Sequence, residues 1–96
     1  MAEITICSAA EVDFTESLYW YASRDKTIAL DFDSEFDRAL TEIGNAPDAY
    51  PMCDDETHYF QMRRFPFRII FRLSREQVVV IAVAHSSRSP EYRAER

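Results

Sequence analysis

The sequence predicts an α+β domain: an N-terminal strand, an antiparallel helical hairpin, then a three-stranded antiparallel meander forming one sheet packed on the helices. Three observations carry this expectation. Apolar residues recur at helical spacing between Ser8 and Gly44, then at a spacing of two from about Thr57. Two prolines with a turn-favouring Asn and Asp separate the regimes in the stretch NAPDAYP, residues 45–51. A chain of 96 residues, 47% of them hydrophobic, can bury one core without disulfides or a metal but is too short for two. Residues 1–96 are therefore read as a single domain, with 86–96 as a C-terminal tail.

In chain order, Ile4 and Ile6 alternate with Glu3, Thr5 and Cys7 and predict a short strand. Ser8-Ala-Ala-Glu11 has the spacing of a capping box, in which the Ser8 hydroxyl and the Glu11 carboxylate satisfy each other's backbone N–H groups. Phe14, Leu18, Tyr21 and Ala22 then give a helix one apolar face, and Tyr19 and Trp20, beside that face, are expected to join the core. After the polar link Arg24–Thr27, a second helix follows from Ile28, Phe32, Phe36, Ala39, Leu40 and Ile43, with Gly44 as its expected stop. Asp31, Glu35, Arg38 and Glu42 on its other face are expected to pair along the helix surface, each pair contributing a few tenths of a kcal/mol.

The second half alternates. His58 to Arg64 predicts a strand and Phe65-Pro66 a connection; Phe67, Ile69, Phe71 and Leu73 then face one way and Arg68, Ile70 and Arg72 the other. Ser74–Gln77 is a polar hairpin turn, and Gln77–His85 is a last strand with apolar residues on both faces, as a sheet centre requires. Two helices cover only one face of such a sheet. The other face needs cover from the chain's own tail or from a partner.

Charge is unevenly spread. Residues 1–62 carry three cations against 14 acids, a balance of −11, while residues 63–96 carry eight arginines against three acids, a balance of +5, giving the total of −6. A basic region made wholly of arginine suits bidentate contacts with carboxylate or phosphate. Two cysteines are too few for a disulfide framework, and both are read as buried free thiols. Cys53, Asp54, Asp55 and His58 lie close in sequence, but their spacing fits no structural zinc pattern, so no metal and no cofactor are expected. The longest apolar run, Val78–Ala84, falls far short of the roughly 20 residues that span a bilayer. No basic segment followed by an apolar one opens the chain, so the cytoplasm is the expected compartment.

Three stretches carry a family resemblance: NAPDAYP at 45–51, RRFPFRIIFRL at 63–73, and VVVIAVAHSSRSPEY at 78–92. With the order of elements they resemble the RelE/ParE superfamily, the toxins of type II toxin–antitoxin modules, over nearly the whole chain. The resemblance implies a cognate antitoxin that wraps its C-terminal segment around the toxin. It implies one of two activities. RelE-like members cleave mRNA in the ribosomal A site, and ParE-like members lack that catalytic set and poison DNA gyrase.

Ribosome-dependent cleavage needs a base for the 2′-hydroxyl, cations for the phosphorane and an acid for the leaving oxygen. Arg68, His85, Arg88 and Tyr92 are the residues that a RelE-like reading would use, with His85 as base or acid and Arg68 and Arg88 holding the phosphate. RelE-like enzymes also place lysines where this chain has Phe60 to Arg64, and the one lysine here is Lys26, in the helical hairpin. The net negative charge also opposes binding to ribosomal RNA. The expectation is therefore a ParE-like, non-enzymatic toxin of a bacterial or plasmid pair that acts on gyrase. A RelE-like endoribonuclease is the alternative, and a non-toxic antitoxin-binding remnant a third reading. Arg63, Arg64, Arg68, Arg72, Arg88 and Tyr92 are the expected partner-binding residues.

Overall fold

In the computed structural model, which describes residues 2–86, Ile4 and Ile6 lie in strand β1 (Glu3–Ile6) and point inward. Helix α1 (Ser8–Ala22) follows at once, without the expected capping box. The Cys7 N–H donates to the Val80 carbonyl at 3.0 Å, and this sheet contact holds Cys7 extended, so that the helix turns at Ser8 and Cys7 takes the cap position. Asp25 opens helix α2 (Lys26–Asn45) as its cap, its carboxylate accepting from the Thr27 N–H at 2.8 Å. Gly44 does not stop α2. It is a buried helical residue whose carbonyl accepts from the Ala2 N–H at 2.9 Å, and the helix ends where Pro47 drives Ala46 out of the helical region.

The meander comprises β2 (His58–Gln61), β3 (Phe67–Ser74) and β4 (Gln77–His85). Strand order is β1-β4-β3-β2, with β1 parallel to β4 and the other pairs antiparallel. The β3–β4 turn uses two residues, Arg75 at φ 48° and Glu76 at φ 67°, a left-handed pair that gives a tight hairpin without glycine. Strand β2 stops short of the expected Arg64, because the N–H groups of Arg63 and Arg64 turn away to the carboxylate of Glu35 on α2. Segment 51–53 borders the outer edge of β2, with Tyr59 N–H donating to Pro51 and Cys53 N–H to Thr57.

The helical hairpin covers one face of the sheet. Phe32, Phe36, Ala39 and Ile43 of α2 meet Phe60, Ile69, Phe71, Val78, Val80 and Val83 in the main core. Phe32 is fully buried, with the rings of Phe14, Tyr21, Phe65 and Phe67 all within 5.4 Å of its own. Burial pushes the Tyr21 phenol above its ordinary pKa of 10.0. Tyr19 and Trp20 do not join this core; they are 69% and 53% exposed, and Ile28 is exposed too, because the stripe of α1 and α2 that meets the sheet is narrower than the run of apolar residues suggests. On the far face Ile70, Ile81, Ala82 and Ala84 form a second buried cluster with Cys53, Tyr59 and Val79 packed against it.

The two faces of β4 are set by a bulge. Ile70 pairs with Ala82 but Phe71 with Val80, leaving Ile81 as an extra residue. Beyond it β1 no longer accompanies β4, and α1 closes that edge instead. The buried carboxylate of Asp13 accepts from the Val83 N–H at 3.0 Å, and the Cys7 thiol lies 3.5 Å from the Ile81 carbonyl.

Candidate functional site

The arginines singled out in the sequence fall into two groups. Arg63 and Arg64, in the β2–β3 loop, turn back onto their own helix. Glu35 accepts from both backbone N–H groups, at 2.7 Å from Arg63 and 3.2 Å from Arg64. Their guanidinium groups reach Glu42 at 3.4 Å and Asp31 at 3.0 Å, respectively. Asp31, Glu35 and Glu42 thus serve this loop rather than forming the expected pairs with Arg38 along α2. Both arginine side chains are largely solvent-exposed, so each ion pair contributes at most about 1 kcal/mol.

Arg68 and Arg72 stand on β3 with Ile70 between them, on the face away from the helices. Arg68 is fixed from β2. Its guanidinium lies over the Tyr59 ring at 4.5 Å, and its Nε donates to Gln61 Oε1 at 3.0 Å, with Gln61 its direct cross-strand partner. Gln61 Nε2 donates in turn to the Ser86 hydroxyl at 3.1 Å. Tyr59 and Gln61 were not singled out in the sequence. The signal was there in the register, which sets Gln61 opposite Arg68 once the β2–β3 pairing is known. Arg72 is exposed and borders a groove of about 640 Å³ with Asp55, Glu56, Met52 and Val79.

His85 lies elsewhere. It pairs with Phe67 across β3–β4, on the helix side, and its ring meets the Phe67 ring edge-on at 5.3 Å. It borders a cleft of about 610 Å³ between α1 and the end of the sheet, walled by Trp20, Tyr21, Pro66 and Phe67 with Glu16 at its rim. Arg24 lies over Trp20 at 3.8 Å. Arg68 pairs with Ala84 and His85 with Phe67, so strand alternation sends Arg68 and His85 to opposite faces of the sheet. Arg88 and Tyr92 lie outside the described residues.

Of the residues weighed as metal ligands, Asp54, Cys53 and His58 make other contacts. Asp54 Oδ1 accepts from the N–H groups of Glu56 and Thr57 and from the Thr57 hydroxyl, which tightens the turn before β2. Cys53 Sγ is 3.1 Å from that hydroxyl. His58 stacks on Phe71, and its Nδ1, 2.9 Å from the Tyr50 carbonyl, is the protonated nitrogen in this contact. No described helix is long and apolar enough to cross a membrane.

The layer of two helices on one face of a four-stranded sheet superposes on solved toxin structures. A structure of the chromosomal ParDE toxin–antitoxin system from P. aeruginosa superposes with a TM-score of 0.77, at 13% identity, covering 88% of this chain and 96% of that one. The isolated E. coli RelE toxin superposes with a TM-score of 0.65, at 15% identity, covering 99% and 95%. Those likenesses define the fold as that of the RelE/ParE toxins. The family model of the ParE toxin of type II toxin–antitoxin systems matches residues 6–90, and the chain belongs to this family. It is accordingly a type II toxin, and its family implies an antitoxin partner. None of the curated proteins compared with the chain matches it.

Proposed function

We propose that the protein inhibits an essential target, DNA gyrase, without cleavage chemistry of its own, and that a cognate antitoxin neutralises it. The observation that carries this reading is the separation of Arg68 from His85. A nuclease that used the imidazole and this guanidinium on one scissile phosphate would need both within reach of it, and here the sheet stands between them. The position of the only lysine, Lys26 at the start of α2, supports the same reading, as does the acidic helical hairpin. An acidic surface is poorly suited to ribosomal RNA and compatible with a protein target.

The antitoxin is proposed to reach the far sheet face, where Arg68 and Arg72 flank Ile70 and offer cations beside apolar surface. Arg63 and Arg64 serve it only if it displaces Asp31 and Glu42. The test is purified toxin added to gyrase, ATP and relaxed plasmid. Loss of supercoiling, reversed by the antitoxin, is expected. Undisturbed supercoiling at molar excess of toxin, with cut mRNA in a parallel ribosome assay, would overturn the proposal.

A further inference from the structure

The cleft between α1 and the end of the sheet is lined by a chain of aromatic rings. Trp20 stands at 88° to Tyr21, Tyr21 at 70° to Phe67 and Phe67 at 78° to His85, with centroids 5.1, 6.4 and 5.3 Å apart. Rings set nearly at right angles form the corners of a box instead of stacking it shut. Pro66 adds an apolar side, and the space of about 610 Å³ is the size of a small-molecule site. The face of each ring is electron-rich and attracts cations. Trp20 already holds one, the guanidinium of Arg24 at 3.8 Å from the ring centroid, although Arg24 is not a wall of the cleft.

The charge of the cleft has the matching sign. Glu16 is exposed at its rim, and among the described residues no lysine or arginine lines it. The Ser17 hydroxyl gives its proton to the Asp13 carbonyl at 2.9 Å and so offers no donor to an anion. The shape of the box then selects among cations. A lysine ammonium is strongly hydrated and needs several acceptors when it leaves water, whereas a guanidinium stacks flat on a single ring. A methylated ammonium is round and sheds water easily, and ring faces hold it without hydrogen bonds.

We propose that this cleft binds a small ligand through a quaternary ammonium group, with the aromatic walls holding the cation, Pro66 meeting its methyl groups and Glu16 balancing its charge. Arg24, beside Trp20, repels the ligand and tempers its affinity. The site lies on the helix side of the sheet, separate from Arg68 and Arg72, and does not depend on gyrase being the target.

Trp20 is the only tryptophan of the chain, so its fluorescence reports on the cleft directly. Choline is titrated into the full chain at constant ionic strength, beside its uncharged analogue in which a carbon replaces the nitrogen. A saturable change at roughly millimolar choline is expected, with the analogue weaker by about tenfold or more. Glu16→Gln is expected to weaken choline binding about threefold or more, and Arg24→Gln to strengthen it about twofold or more. Trp20→Leu keeps an apolar wall without the ring and is expected to cost about fivefold or more, read by calorimetry because the reporter is gone. Tyr19→Leu, at an exposed ring outside the cleft, is expected to change nothing, and circular dichroism checks that every variant folds. Equal binding of choline and its analogue would overturn the proposal, as would the lack of any saturable response or indifference to both Glu16→Gln and Trp20→Leu. Tighter binding of ethylammonium or ethylguanidinium than of choline would overturn it in favour of a lysine or arginine side chain.

Discussion

Asp13 offers the most direct test of how α1 is joined to the sheet. It is 7% exposed, and its carboxylate takes the Val83 N–H at 3.0 Å on the stretch of β4 that β1 no longer covers. Asp13→Ala would leave that N–H without its acceptor beside a residue only 2% exposed. An orphaned buried donor costs about 1–3 kcal/mol. In a domain of this size each kcal/mol moves the melting temperature by roughly 4–8 °C, so a fall of about 5–20 °C is expected. Asp13→Asn keeps an acceptor oxygen and is expected to lose less than half as much. Thermal and urea unfolding by circular dichroism would measure both, and hydrogen exchange at Val83 would locate the effect. The reasoning fails if Asp13→Ala melts within about 2 °C of the parent chain, or if Asn is as damaging as Ala.

Other consequences follow from the packing and from the one shifted group. Phe32→Ala empties the centre of the aromatic cluster and is expected to cost about 3–5 kcal/mol, much of the usual stability of a small domain, which urea unfolding would read. Glu35→Ala removes the acceptor for the Arg63 and Arg64 N–H groups; a loss of about 1 kcal/mol or less is expected, with faster hydrogen exchange confined to those two amides. Tyr21 holds its proton more tightly in the folded than in the unfolded chain, so its contribution is fully present below about pH 10 and is lost as the pH rises through the higher folded value. Stability measured across that range is expected to fall less steeply in Tyr21→Phe than in the parent.

The helical period of Phe32, Phe36, Ala39 and Ile43 and the alternation of Phe67, Ile69, Phe71 and Leu73 were legible in the sequence, and both sets entered the core on the same side. The apolar residues on both faces of β4 also announced its place at the sheet centre. What the sequence hid were long-range contacts that override local signals. Ser8 and Glu11 have capping-box spacing, but the bond from Cys7 to Val80 moved the helix start by one residue. Arg63 and Arg64 look like a continuing strand until Glu35, 28 residues earlier, captures their N–H groups.

The hidden feature with most bearing on function is the bulge. Strict alternation from Val78 would bring His85 to the same face as Arg68. The extra residue Ile81 reverses the count, so that Val83 and His85 face the helices and Ala82 and Ala84 face away. Nothing in the run VVVIAVAH marks Ile81 as that residue. Arg68 and His85, plausible together in one dimension, were thereby divided between two surfaces.

The central claim, a toxin that acts on gyrase rather than on mRNA, is tested most directly by controlled expression of the chain without antitoxin, with DNA breaks and mRNA ends mapped in the same cells. DNA breaks and growth arrest with intact mRNA are the predicted result, unchanged in kind when His85 is replaced by Ala. Codon-phased mRNA cuts without DNA damage, abolished by Arg68→Ala or His85→Ala, would contradict the account.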